Sequence, residues 1–280
     1  MIDFCTRLVV WLNTLANAVG KLLLAPVGVL PGWLSATLVA GITGVLLLVV
    51  FKHTSNQRAI KRVKDDINAN LLALKLFKES VSVALRAQGS ILYSAGRLML
   101  LAIVPMLVMV LPVLLILGQL SLWYQSRPLQ IGEDAVVTLK LLSDNTARAD
   151  ARLEPTDAVE VLVGPVFVPS KQEVCWKIKA SQAGYHQLIF HVGNEAGDKE
   201  LVVGDRIMRV SSLRPDWSLG DVLLYPAEKP FDRASAVQSI AIDYPTRSSW
   251  TSGADTWVIY WFAVSMVFGF AFRRVFNVNM

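Results

Sequence analysis

Three stretches without a single charged side chain constrain what this chain can fold into. Residues 34–51, 98–124 and 256–272 contain no Asp, Glu, Lys or Arg. All three read as long enough to cross a bilayer, which needs roughly 20 mainly apolar residues in a helix. The intervening loops differ in kind. Residues 52–97 carry nine Lys/Arg against three Asp/Glu, whereas residues 125–254 carry 14 basic against 17 acidic side chains. Short loops rich in Lys and Arg stay cytoplasmic, and long domains cross largely regardless of charge. The pattern predicts an integral membrane protein with a cationic cytoplasmic loop, a cytoplasmic C-terminus and a folded extracytoplasmic domain. A bacterial inner membrane accommodates this layout.

Composition agrees. At 54% hydrophobic and 18% charged residues, the chain is too apolar for a soluble domain and too mixed for a protein confined to lipid. The net charge of +5 is unevenly spread: +6 in residues 52–97, +2 after residue 272, and −3 in residues 125–254. The basic balance therefore reports topology, and no DNA partner is expected. Cys5 and Cys175 fall in unrelated segments, so a disulfide framework is not expected. Asn13, Asn17 and Lys21 break the N-terminal apolar stretch, which argues against a signal peptide.

Periodicity divides the chain further. In residues 1–33, Arg7, Asn13, Asn17 and Lys21 recur near helical spacing among Leu8, Val9, Leu12, Leu15, Val19 and Leu22. This predicts an amphipathic helix lying in the membrane interface; the alternative is a fourth, poor span. The Pro/Gly-punctuated run over 25–32 then turns the chain before the first span, 34–51. In residues 52–97, Ile60, Val63, Ile67, Leu71, Leu74 and Phe77 form a stripe at three- and four-residue steps, and Val81, Leu85, Ile91 and Leu92 mark a second arm. Two arms of about 20 residues predict an antiparallel helical hairpin projecting roughly 30 Å. The second span, 98–124, holds Pro105 and Pro112 and ends at Trp123-Tyr124. With Trp33, Trp250, Trp257, Tyr260 and Trp261, these aromatics mark the expected outer boundary.

Six short alternating segments, 135–142, 158–163, 173–180, 185–192, 199–203 and 207–213, predict an all-β, Ig-like sandwich over residues 125–215. Residues 216–255, punctuated by Pro226, Pro230 and Pro245, are expected as a connection to the third span, 256–272, and residues 273–280 as a cytoplasmic tail. The fold class is thus a three-span α-helical membrane core with a cytoplasmic hairpin, plus an extracytoplasmic β-sandwich.

The residues carry little catalytic chemistry. His186 and His191 are five apart on one predicted strand, hence on opposite faces, which suits no shared metal. His53 reads as an interfacial polar residue and Cys175, beside Trp176, as a small buried one. No phosphate loop, dinucleotide fingerprint, serine elbow or zinc spacing occurs. No catalytic residue, metal or cofactor is expected, and the protein reads as a non-enzyme. The spans hold few polar groups, among them Thr43, Gln119 and Ser265. Gly41, Gly44, Gly118 and Gly269 fit close helix packing; a shallow hydrophilic groove near Thr43 and Ser265 is the alternative. Arg58, Lys61, Arg62 and Lys64 either enforce topology or contact anionic lipid or ribosomal RNA.

This plan resembles the core of the YidC/Oxa membrane insertase superfamily, particularly its three-span members such as the insertase-like subunit of the endoplasmic reticulum membrane protein complex. The exit Phe51-Lys52-His53-Thr54-Ser55-Asn56-Gln57 leads directly into the hairpin, and Val104-Pro105-Met106-Leu107-Val108-Met109-Val110-Leu111-Pro112-Val113 is similar to the Pro-containing second core span. The resemblance covers residues 1–124 and 255–280. It departs in two ways: the first span lacks the Arg usual in bacterial members, and the outer β-domain stands between the second and third spans. The resemblance implies a divergent insertase or chaperone-like factor for other membrane proteins. Thr43, Met109, Gln119 and Ser265 are then the substrate-groove residues, and Arg58, Lys61, Arg62 and Lys64 the cytoplasmic contacts. Expected partners are the lipid bilayer, nascent membrane proteins with a ribosome or translocon, and an extracytoplasmic protein. The alternative is a membrane scaffold or sensor that binds a partner through the outer β-domain.

Overall fold

A computed structural model describes residues 2–24, 26, 30–77, 80–142, 151–249, 251 and 256–278. The turn over 25–29, the hairpin tip at 78–79 and Trp250 therefore lie wholly or partly outside the described residues. The chain divides into two compact units. One comprises Met1–Ala36 and Leu114–Trp261; the other comprises Thr37–Val113 and Phe262–Met280.

Four helices open the chain: α1 (Ile2–Leu24), α2 (Gly32–Thr54), α3 (Gln57–Leu76) and α4 (Val81–Tyr124). α1, α2 and α4 are long and apolar enough to cross a membrane, while α6 (Trp257–Phe272) is shorter. α2 ends where the apolar run gives way to Lys52 and His53, and basic residues suit a helix C-terminus. Asn56 restarts the chain as α3 by accepting a hydrogen bond from the Ala59 amide (3.1 Å), a standard N-cap arrangement worth about 1 kcal/mol.

In the second unit, α3 and the first part of α4 run antiparallel. Asn70 Nδ2 donates to Ser90 Oγ across the pair (3.0 Å), while Ile60, Val63 and Ala87 are buried. The stripe thus closes as a hairpin near its base. Toward the tip, Leu71, Leu72, Leu76, Phe77, Val81 and Leu85 are exposed. α4 continues without a break for 44 residues, about 66 Å at 1.5 Å per residue. Pro105 and Pro112 lie inside it. Met99, Leu100, Ile103, Met106 and Leu107 are all largely bare of protein. An apolar helix this unburied is compatible with lipid as its solvent.

In the first unit, eight strands build two antiparallel sheets. One has the order β3-β4-β1-β8-β7 and the other β2-β5-β6. The strands are β1 (Asp134–Leu141), β2 (Ala151–Leu153), β3 (Val159–Val168), β4 (Glu173–Ala180), β5 (Gly184–Val192), β6 (Glu195–Val203), β7 (Leu213–Arg214) and β8 (Val237–Ile242). Inward residues of both sheets share one core, including Val137, Leu139, Trp176, Ile178, Leu188, Phe190, Leu201 and Ile240. Trp176 of β4 meets Phe190 of β5 with ring centroids 5.3 Å apart, which joins the sheets through two large side chains. Tyr244, just after β8, accepts the Val202 amide of β6 on its hydroxyl (2.9 Å) and adds a second tie. Gly193, at φ +59, permits the two-residue turn between β5 and β6.

Two expectations are corrected here. Residues 216–255 are more than a connection, because they supply α5 (Leu219–Leu224) and β8. β8 pairs with β1 in the middle of the larger sheet. Its sequence, Val-Gln-Ser-Ile-Ala-Ile, is short and stands between Pro230 and Pro245, which masked its alternation. Conversely, residues 207–212 form no strand, and only Leu213–Arg214 pair with β8. Backbone groups there serve other partners: the Val210 amide donates to Leu122 (2.8 Å).

Candidate functional site

In the second unit, α2 and α6 meet through glycine. A Cβ on Gly44 would stand 2.3 Å from the Ser265 carbonyl oxygen, and one on Gly41 2.9 Å from the Phe268 ring. Ser265 is buried at this crossing. Its hydroxyl donates to Phe262 O (2.9 Å), and the Thr43 hydroxyl donates to Ala40 O (3.0 Å). Each hydroxyl thus satisfies its own helix backbone, three residues back, and offers a neighbour only its remaining lone pairs. Thr43 is half-buried one residue from the crossing, and Met109 is half-buried on α4.

Gln119 belongs to the first unit. Its Nε2 donates to Asn17 Oδ1 (2.9 Å). The four cations occupy the first two turns of α3; Arg58, Lys61 and Arg62 are exposed and Lys64 is half-buried. No ion pair engages them among the described residues. Cations near a helix N-terminus oppose the macrodipole, so this placement adds nothing to the stability of α3.

The boundary aromatics divide. Trp33 is exposed, but Trp123, Tyr124, Trp257 and Trp261 are buried by protein. Tyr124 shares a hydrogen bond with Ser35 (2.6 Å), and Arg247 Nε donates to the Trp123 carbonyl (3.1 Å). These rings pack against protein and are not free lipid anchors. His186 and His191 lie on opposite faces of β5; their Nε2 atoms approach Gln182 O (3.0 Å) and Glu154 Oε2 (3.3 Å) respectively. Among the described residues no cluster of His, Cys, Asp and Glu is arranged for a metal ion.

Sequence reasoning missed a buried polar network in the first unit. Lys199 of β6 is fully buried. Its ammonium donates to Glu228 Oε1 (2.6 Å), Ser211 O (2.7 Å) and Ser211 Oγ (3.2 Å). Burial pushes the Lys199 pKa down, and the Glu228 carboxylate opposes that shift. Glu228 Oε2 accepts the Glu200 amide (3.1 Å). Ser211 is itself buried. The alternation of Lys199 with inward Leu201 and Val203 was the available signal, because it puts a lysine on the core face.

α1 joins this network through its polar face. Asn17 Oδ1 accepts from Arg209 Nη2 (3.2 Å) as well as from Gln119, and Asn17 Nδ2 donates to Pro226 O (2.7 Å). One turn earlier, Asn13 Nδ2 donates to Val222 O (2.6 Å). At the helix start, Asp3 pairs with Arg233 (2.6 Å). The opposite face presents Phe4, Leu8, Trp11, Leu15 and Leu22, all exposed. A cavity of about 170 Å³ opens beside Asn13, Thr14 and Asn17 against Val222, Pro226, Glu228 and Lys229. No protein-family model, curated protein or solved structure matches this chain.

Proposed function

We propose that the protein is a membrane insertase or chaperone-like factor that assists the integration of other membrane proteins. The observation that carries the reading is that α2 from Thr37, the α3/α4 hairpin and α6 make one compact unit, with a cationic, unpaired α3 start at the hairpin base. In this reading α2, α4 and α6 cross the bilayer, the hairpin and C-terminus are cytoplasmic, and the Ig-like β-domain is extracytoplasmic. α1 lies in the outer interface, since its polar face bonds to β-domain residues over four helical turns while its apolar face is bare. Thr43, Met109 and Ser265 are the groove residues of this unit, and Arg58, Lys61, Arg62 and Lys64 meet anionic headgroups or a ribosome. A sparsely polar groove lowers the desolvation cost of moving a short polar segment through lipid.

One observation favours a scaffold as the second reading. β3 is an edge strand of the larger sheet and exposes Val161, Leu162, Val163 and Val166. An exposed apolar edge is a docking site for another chain. Photo-crosslinking in living cells separates the two. Probes at Thr43, Met109 and Ser265, with Met99 and Leu107 as lipid-facing controls, are tested against stalled ribosome–nascent chains of short membrane proteins. The insertase reading expects nascent-chain adducts from the three positions and none from the controls. Adducts with resident membrane proteins alone would overturn it in favour of a scaffold.

A further inference from the structure

One long face of α4 has no cover in a single chain. The face that carries Ala87, Ser90 and Ser94 is occupied: Ala87 and Ser94 are buried, and Ser90 accepts from Asn70 of α3. The other side repeats every seven residues. Ser82, Gly89, Gly96, Ile103 and Val110 take one position, and Leu85, Leu92, Met99 and Met106 take a second, three residues further on. This is the a/d spacing of a coiled-coil seam, held over four heptads. All of these residues are exposed, and Leu85 and Leu92 are 64% and 74% bare. A Cβ on Gly89 or Gly96 would meet nothing within 4 Å. Lipid covers apolar side chains inside the bilayer, but it does not reach the part of the seam that precedes Arg97. Apolar surface left in water marks an interaction site.

We propose that α4 pairs along this seam, in parallel, with α4 of a second copy of the chain. Equal positions meet in such a pair, Gly89 against Gly89 and Leu92 against Leu92. The small residues let the backbones approach, and the larger side chains interlock between them. The length of the seam selects this occupant. Ser82 to Val110 spans about 42 Å at 1.5 Å per residue and passes from the cytoplasmic arm into the span without a break. Among the described helices only α4, with 44 residues, runs through both parts. Charge permits self-pairing. The seam carries none, and Arg86 is the only charged residue at the flanking e and g positions from 81 to 110. Across a parallel pair it meets Val81, not a like charge. Pro105 and Pro112 share one heptad position off the seam, so neither interrupts it. Membrane anchoring holds two copies parallel at high effective concentration, which lets a narrow interface suffice. Met99, which faces lipid in a single protomer, faces the second copy in the pair. The inference rests on the placement of α4 stated above, with residues 81–96 in the cytoplasm and 98–124 in the bilayer.

The test is a cysteine scan of the full chain in isolated membranes, one cysteine at a time from Leu85 to Gly96 in a Cys5→Ser/Cys175→Ser background, with copper phenanthroline as oxidant. The expected result is a disulfide-linked dimer whose yield peaks at Leu85, Gly89, Leu92 and Gly96 and falls to a minimum at Ser90 and Ile91. Leu92→Glu sets two carboxylates against each other and is expected to lower the yield at Gly89→Cys roughly tenfold or more. Leu72→Glu makes the same change at an exposed position of α3 and is expected to leave the yield unchanged. A flat yield along the scan, no dimer, or adducts with a different protein overturns the proposal, as does an equal loss with both glutamate variants. The cysteine scan carries the test if Leu92→Glu does not fold. Labelling of Gly89→Cys by a membrane-impermeant maleimide in intact cells would sink the cytoplasmic placement of the arm, while the three- and four-residue period of the scan still decides the pairing.

Discussion

Lys199 shows how one residue can tie the β-domain to its surroundings. Its four-carbon stem lies in the core between two sheets, and its ammonium binds Ser211 and Glu228 on the segments that follow β6. Removing one partner of such a pair strands a charge. Glu228→Ala leaves an ammonium with no solvent and only neutral acceptors, and the expected destabilisation is about 3–5 kcal/mol. Lys199→Met keeps the stem and leaves Glu228, whose side chain is 12% exposed, able to turn toward water, so its cost is smaller. Lys199→Met/Glu228→Gln removes both charges and is expected to recover most of the loss. Thermal unfolding of the four proteins in one detergent checks this order; equal effects of the two single variants would contradict it. The other feature at this scale is Asn17, which accepts from both Gln119 and Arg209. Its four-residue spacing from Asn13 was readable as a polar helix face, but the partners, roughly 100 and 200 positions away, were not.

Among the elements, glycine divides by neighbourhood. Gly44 faces the Ser265 backbone at a distance no Cβ can share, and a Cβ on Gly118 would stand 2.8 Å from the Leu223 carbonyl oxygen. Gly89 and Gly96, on α4, face open space. Gly44→Ala must push α6 away from α2, since a backbone atom cannot swing aside, and lower stability or yield is expected. Gly96→Ala is expected to stabilise by roughly 0.5–1 kcal/mol through helix propensity. Unfolding midpoints of the two variants test the pair, and a stabilising Gly44→Ala would contradict the close crossing. The long elements were legible because period and length both spoke. The 3–4 spacing of Ile60, Val63 and Ile67 yields α3, and strict alternation yields β1, β4 and β5 to within a residue. β2, at three residues, is too short to carry a period, and β8 lay hidden among prolines. β7 owes its pairing to β8, so neither was visible without the other.

For the whole molecule, charge asymmetry is the argument that reaches furthest from sequence to function. The charge-free stretches of α2, α4 and α6 emerge as apolar helices, but a 16-residue α6 is short for a span while α1 is long enough for one. Length alone thus does not fix the topology. The proposed topology rests instead on the nine cations of residues 52–97, since short loops rich in Lys and Arg stay cytoplasmic. The candidate groove was only partly legible. Polar residues in apolar spans can be picked out, but whether their hydroxyls face a partner helix or a groove depends on helix rotation that no sequence period encodes. The measurement that tests the central claim most directly is cysteine accessibility in intact bacterial cells, in a Cys5→Ser/Cys175→Ser background. The account predicts that Gln187→Cys on β5 reacts with a membrane-impermeant maleimide in intact cells, while Gln88→Cys on the hairpin reacts only after lysis. Labelling of Gln88→Cys with protection of Gln187→Cys would invert the topology and contradict the account.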